Sequence, residues 1–275
     1  MTTTEPAAQV TGLTLRDSLT MLRRNLLHIR RYPSLSIMLV AQPILFLLLF
    51  VYVFGGTLGA GLPAANGATG GGDRGDYLVF ITPGVLIMTV ASIALGTAIA
   101  TATDMTTGII ARFRTMNIAR VSVLTGHVLG AVIKTGFAVV IVAGFAFAIG
   151  FRSDAGALGW LGAIGLLILI AFALTWLTVG LGLAADSVET ASNTPMFLVL
   201  LPFISSGFVP TDAMPTGLRL FAENQPFTPM IDTLRALVTG TEAGSDLWFA
   251  IGWCALISLL GFAWSRRLFL RVPVK

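Results

Sequence analysis

The sequence predicts an all-α polytopic membrane protein. It should have six transmembrane helices, an N-terminal amphipathic interfacial helix, and short external re-entrant helices between spans 5 and 6. Three observations carry that prediction. Only 11% of the 275 residues are charged, less than half of the roughly 25% found in soluble domains. The mean hydropathy is +0.87. The apolar residues are gathered into six charge-poor stretches, each close to the roughly 20 residues that cross about 30 Å of hydrocarbon. This composition excludes a disordered chain, a disulfide-rich secreted domain and a nucleic-acid binder. The lone Cys254 permits no intrachain disulfide.

Taken in order, residues 1–12 read as a flexible N-terminus and 13–33 as an amphipathic helix. Leu15, Leu19, Leu22, Leu26 and Ile29 recur at alternating steps of four and three, forming one apolar stripe. Thr14 and Asp17 match a capping pattern at its start, and Pro33 ends it. Arg16, Arg23, Arg24, Arg30 and Arg31 occupy the other faces. Such a helix suits the headgroup layer, either as an anchor for the first span or as a connecting helix that touches a cytoplasmic partner.

The membrane domain, 34–268, holds predicted spans at 35–54, 79–103, 123–151, 157–184, 193–211 and 247–265, and 269–275 is a tail. Residues 55–75 form a Gly/Ala-rich external loop without periodicity. Residues 210–246 are broken by Pro210, Pro215, Pro226 and Pro229, too apolar for a solvated loop and too short for two spans. Short helices dipping into the outer leaflet fit this stretch. Thr228, Pro229 and Gly240 mark the expected ends of one helix, with Asp232 and Arg235 able to pair on its surface.

Basic residues orient the spans. Twelve lie in the N-terminal segment, the second loop and the tail, against Arg74, Arg152, Arg219 and Arg235 on the opposite side. The positive-inside rule therefore places both termini in the cytoplasm of a multi-pass plasma-membrane protein. Lys134 is the one charge within a span. It either snorkels to the cytoplasmic interface or faces a substrate passage, where Phe137, Phe197 and Phe203 would suit an apolar compound unless they face lipid or pack between helices.

No residue pattern supports catalysis by the chain itself. Lys134-Thr135 lacks the glycines of a Walker A loop, since Val128 and Ile133 stand in their places. His28 and His127 are far apart in sequence and show no metal-ligand spacing.

The second cytoplasmic loop, DMTTGIIARFRTMNIAR over 104–120, resembles the signature loop of ABC exporter permeases of the type-2 (drug and polysaccharide export) family. It is most similar to the daunorubicin-resistance branch. A second block, FISSGFVP at 203–210 followed by NQPFTP at 224–229 and Leu234-Arg235-Ala236-Leu237, resembles that branch's fifth-span end and external helices. Asn117 departs from the proline common in the family, which affects only the local turn.

The resemblance implies a permease without its own nucleotide site. It would pair with a second permease copy, as homodimer or heterodimer, and with cytoplasmic ABC ATPase subunits that bind ATP and Mg. Asp104, Gly108, Arg112, Phe113, Arg114 and Arg120 would form the ATPase-coupling loop, assisted by the arginines of the connecting helix. Pro226, Pro229, Asp232 and Arg235 would belong to the external helices. The cargo would be a hydrophobic or amphipathic small molecule, the surroundings membrane lipid, and no cofactor would be bound by this chain. A polysaccharide or teichoic-acid exporter and a non-pumping binding or immunity protein are the alternatives.

Overall fold

A computed structural model describes residues 33–62, 72–107 and 120–271. The connecting helix, most of the coupling loop (Gly108, Arg112, Phe113 and Arg114 included) and the last four residues lie outside them. All regular structure among the described residues is helical.

The first helix, α1 (Pro33–Leu48), continues through a π-helical stretch, Leu49–Phe54, into the short α2, Gly55–Gly59. Next comes α3 (Arg74–Thr106), started by a reciprocal capping box. Asp73 accepts from the Asp76 amide and Asp76 from the Asp73 amide, each at 3.0 Å. Two long helices follow, α4 (Arg120–Ala148) and α5 (Ala157–Ala184).

The expected fifth span is not one helix. Its place is taken by α6 (Val188–Asn193), α7 (Met196–Leu200) and a 3-10 turn, Leu201–Ile204. Pro195 stands at the break before α7, and Pro202 inside the 3-10 turn. Neither has an N–H to continue an α-helical ladder. Beyond lie α8 (Thr216–Asn224), α9 (Phe227–Thr239) and the closing α10 (Asp246–Arg271). Among the described residues, five helices are long and apolar enough to cross a membrane.

The bundle is organised around α3. Of its most apolar 18 residues 83% are buried, against 17–39% in the other four candidate spans. Helix α3 packs on α1, α4 and α5, and α5 carries α10 on its other side. Inside lipid a helix cannot leave polar side chains unmet, and α3 meets that demand within itself. Thr82, Thr89, Ser92, Thr97 and Thr101 each donate to the carbonyl four residues back, at 2.6–3.1 Å.

Helix α6, helix α7 and the 3-10 turn all pack on α3. Within α5, before they begin, a Cβ on Gly182 would lie 2.6 Å from the Ala98 carbonyl oxygen. Just past their end, a Cβ on Gly84 would lie 2.8 Å from the Gly207 carbonyl oxygen. Ala98 and Gly84 are separated by about 21 Å of helix at 1.5 Å per residue.

Candidate functional site

Two polar assemblies sit at opposite ends of α3. The first brackets the arginine-bearing loop. Asp104, near the C-terminus of α3, is buried, and its Oδ2 lies 3.2 Å from His127 Nε2 on α4. One partner precedes residues 108–119 and the other follows them, so the pair closes the base of the loop. Thr107 finishes α3 by donating its amide and its hydroxyl to the Thr103 carbonyl, at 3.0 and 2.7 Å.

Around this base Leu124, Val128, Trp176, Val179, Leu183 and Phe269 form a small apolar cluster, with Met105 and Leu268 against it. It joins the ends of α3, α5 and α10 to the start of α4. Arg120 opens α4. His127 is the residue that pattern reading missed. Its partner is 23 positions away on another helix, and no local spacing signals such a pair.

The second assembly lies at the N-terminal end of α3, where α9 meets the turn after the broken segment. Gly240 ends α9 with φ +78°, the left-handed cap expected of it. The helix begins two residues before the expected Pro229 start, with Pro226 at the N-cap, while the Thr228 hydroxyl donates to the Ala222 carbonyl of α8.

Arg235 does not pair with Asp232 on an open surface. Its guanidinium bonds the Asp232 carboxylate through Nη1. Nη2 donates to the Ser206 carbonyl at 2.6 Å and Nε to the Phe80 carbonyl at 3.3 Å. The cation also lies 4.1 Å from the centre of the Phe80 ring. Ser206 completes the set by donating its hydroxyl to Asp232 at 2.7 Å. One side chain thus ties α9, the 205–208 turn and α3 together. Nearby, the Gln225 side chain donates to the Ile204 and Leu201 carbonyls at 2.9 and 3.3 Å, capping the 3-10 turn.

The four candidate passage residues are not gathered into one ring cluster. Phe203 packs edge-on to Phe46 at 5.2 Å and stacks on Phe208 at 4.5 Å, with Phe50 5.0 Å from Phe208. Phe137 and Phe197 are exposed on the helix surfaces, and no ring contact among the described residues joins either to that cluster. Lys134 stands half-buried midway along α4 without an ion pair among the described residues.

Comparison with known proteins returns a consistent set. The profile of the ABC-2 type transporter family matches residues 17–238. The chain is 31% identical over 232 residues to a daunorubicin resistance ABC transporter permease protein of Streptomyces coeruleorubidus, covering 84% of this chain and 77% of that one. It is also 31% identical over 174 residues to a doxorubicin resistance ABC transporter permease protein of Mycobacterium tuberculosis, covering 59% of this chain and 56% of that protein.

Proposed function

The chain belongs to the ABC-2 type transporter family, and on that premise we propose that it is the membrane subunit of a drug exporter. The cargo is an amphipathic aromatic compound of the kind named for its relatives. The driving force is ATP, held with Mg and hydrolysed by a separate cytoplasmic ATPase. A second permease copy completes the passage, and the hydrophobic cargo moves outward.

The observation that carries this reading is the setting of α3. It is the most buried span, and it ends at the Asp104–His127 pair that closes the base of the arginine loop. An ATPase pushing on Arg112, Phe113 and Arg114 would therefore act on the helix against which α1, α4 and α5 pack. The connecting helix, through Arg16, Arg23, Arg24, Arg30 and Arg31, supplies the second contact with the ATPase.

The stretch from α6 to the 3-10 turn serves as a sixth crossing in this reading. Its support is the apolar helical run Val188–Ile204, which packs on α3, together with charge placement. Five crossings would put Arg266, Arg267, Arg271 and Lys275 on the face opposite the N-terminal arginines, against the positive-inside rule. With six, both termini are cytoplasmic. Helices α8 and α9 then lie at the outer face as re-entrant elements, pinned by Arg235.

The test begins with purification of the full chain in mild detergent after expression from its native locus. A stoichiometric ATPase should accompany it, and drug should stimulate hydrolysis by the complex. Arg112→Ala with Arg114→Ala should abolish that stimulation and export while leaving the spans folded. Intact stimulation and export in the double variant would overturn the coupling role, and absence of any ATPase partner would overturn the exporter.

A further inference from the structure

A groove between α5 and α10 is unrelated to either polar assembly. It encloses about 370 Å³ and is lined by Leu177, Leu260, Gly261, Ala263, Trp264 and Arg267, a volume within the range of small-molecule sites, about 300–1,000 Å³. Its floor exists because side chains are missing. A Cβ on Gly261 would lie 2.8 Å from the Leu177 amide nitrogen, so the two backbones touch there. A Cβ on Gly180 would lie 2.7 Å from the Trp264 ring, so the indole lies across α5. The Ser265 hydroxyl donates to the Trp176 carbonyl at 3.1 Å, and Trp176 packs edge-on to Phe262 at 4.9 Å. The helices are locked beside the groove, and its shape is preformed.

The chemistry of the groove changes along its length. Leu260, Trp264 and Arg267 follow one another at steps of four and three, stacked on one face of α10. Twenty residues separate Leu247 from Arg267, about 30 Å of helix, the thickness of the hydrocarbon core. Arg267 therefore lies at headgroup depth, and the apolar walls occupy the acyl layer beside it. Among the described residues Arg267 has no carboxylate within ion-pair distance.

We propose that this groove holds an acyl chain of one anionic phospholipid, with Arg267 binding the headgroup phosphate. A cation at the interface above an apolar slot fits an anionic lipid better than a zwitterionic one, whose own ammonium group would face the guanidinium. Assignment of the lipid to the cytoplasmic leaflet rests on the orientation given above, whereas its chemistry does not.

The experiment is native mass spectrometry of the full chain in detergent, titrated with dioleoylphosphatidylglycerol or dioleoylphosphatidylcholine. One phosphatidylglycerol per chain should be retained about fivefold more tightly, equivalent to about 1 kcal/mol for one arginine at a membrane surface. Arg267→Gln should erase that preference. Arg266→Gln should preserve it, because Arg266 lies about 100° round the helix and outside the groove. Ala263→Phe, which fills the groove from an exposed position, should release both lipids. Equal effects of the two arginine variants would reveal only a diffuse basic surface and overturn the site. So would equal retention of both lipids, or no effect of Ala263→Phe. The measurement needs no ATPase and no transport, so failure of the exporter reading and failure of the lipid site are separately visible.

Discussion

Replacing Arg235 by leucine should be among the most destabilising single changes at the N-terminal end of α3. The guanidinium serves three acceptors, the Asp232 carboxylate and the carbonyls of Ser206 and Phe80. Only 20% of the Arg235 side-chain surface and 29% of that of Asp232 is exposed. Removing one partner of a buried pair costs about 3–5 kcal/mol, since the other charge remains desolvated. Here Ser206 still donates to Asp232, and partial exposure screens the carboxylate, so a value near the lower end, about 3 kcal/mol, is expected. For a chain of this size that is a fall of roughly 6–12 °C in Tm, measurable by thermal aggregation followed by size-exclusion chromatography. Asp232→Leu combined with Arg235→Leu should cost less than the sum of the singles, because no charge is then stranded. Arg219 supplies the comparison. It pairs with Asp212 and Glu223, each at 2.7 Å, on an exposed face, and Arg219→Ala should leave Tm unchanged. If Arg235→Leu matched Arg219→Ala, the network at α9 would not be holding the turn to α3, and the reasoning would fail.

At the other end of α3, Asp104→Leu or His127→Leu should each lower both thermal stability and drug-stimulated ATPase activity. The double variant should regain stability but not coupling, which a purely structural pair would restore together. Gly84→Ala should cost about 1–3 kcal/mol by forcing α3 from the Gly207 backbone, whereas Gly165→Ala, with nothing within 4 Å of the added methyl, should be neutral or better in the same thermal assay. Single cysteines at Ser187 and Thr241, introduced with Cys254 replaced by alanine, should react with a membrane-impermeant maleimide only from the inside and only from the outside, respectively. Labelling of both from one side would refute the sixth crossing.

The long spans were legible because burial in lipid imposes uniform composition over a fixed length. The expected 157–184 and the observed Ala157–Ala184 coincide. Helices α3, α4 and α10 differ from expectation only at their ends, where polar caps extend α3 back to Arg74 and the basic tail remains helical to Arg271. The stretch after α5 is not one continuous helix, and hydropathy does not reveal this because it averages over side chains and is blind to backbone donors. Its prolines at 195 and 202 break the ladder without placing a charge in the stretch. Gly240 announced its cap through its own conformational freedom. The partners of Arg235 other than Asp232, and the partner of His127, were hidden for another reason. Phe80 is 155 residues from Arg235 in sequence, and only the folded bundle brings its carbonyl to the guanidinium.

These placements bear on how motion crosses the membrane. The polar contacts recorded between α3 and other segments cluster near its ends. Among the described residues they include Asp104 to His127 at one end, and Phe80 to Arg235 and Tyr77 to the Phe208 carbonyl at the other. Phe80 and Asp104 are 24 residues apart, about 36 Å at 1.5 Å per residue. Between them the buried hydroxyls of Thr89, Ser92, Thr97 and Thr101 bond α3's own carbonyls, so they do not fasten the middle of the helix to its neighbours. Apolar contacts and close glycines remain there, and these resist separation more than they resist small axial shifts. A rod held by specific bonds at its two ends and by non-directional packing between them can pass a displacement from one end to the other without breaking buried hydrogen bonds along the way. That is what a permease whose energy source lies on another chain requires of its central helix.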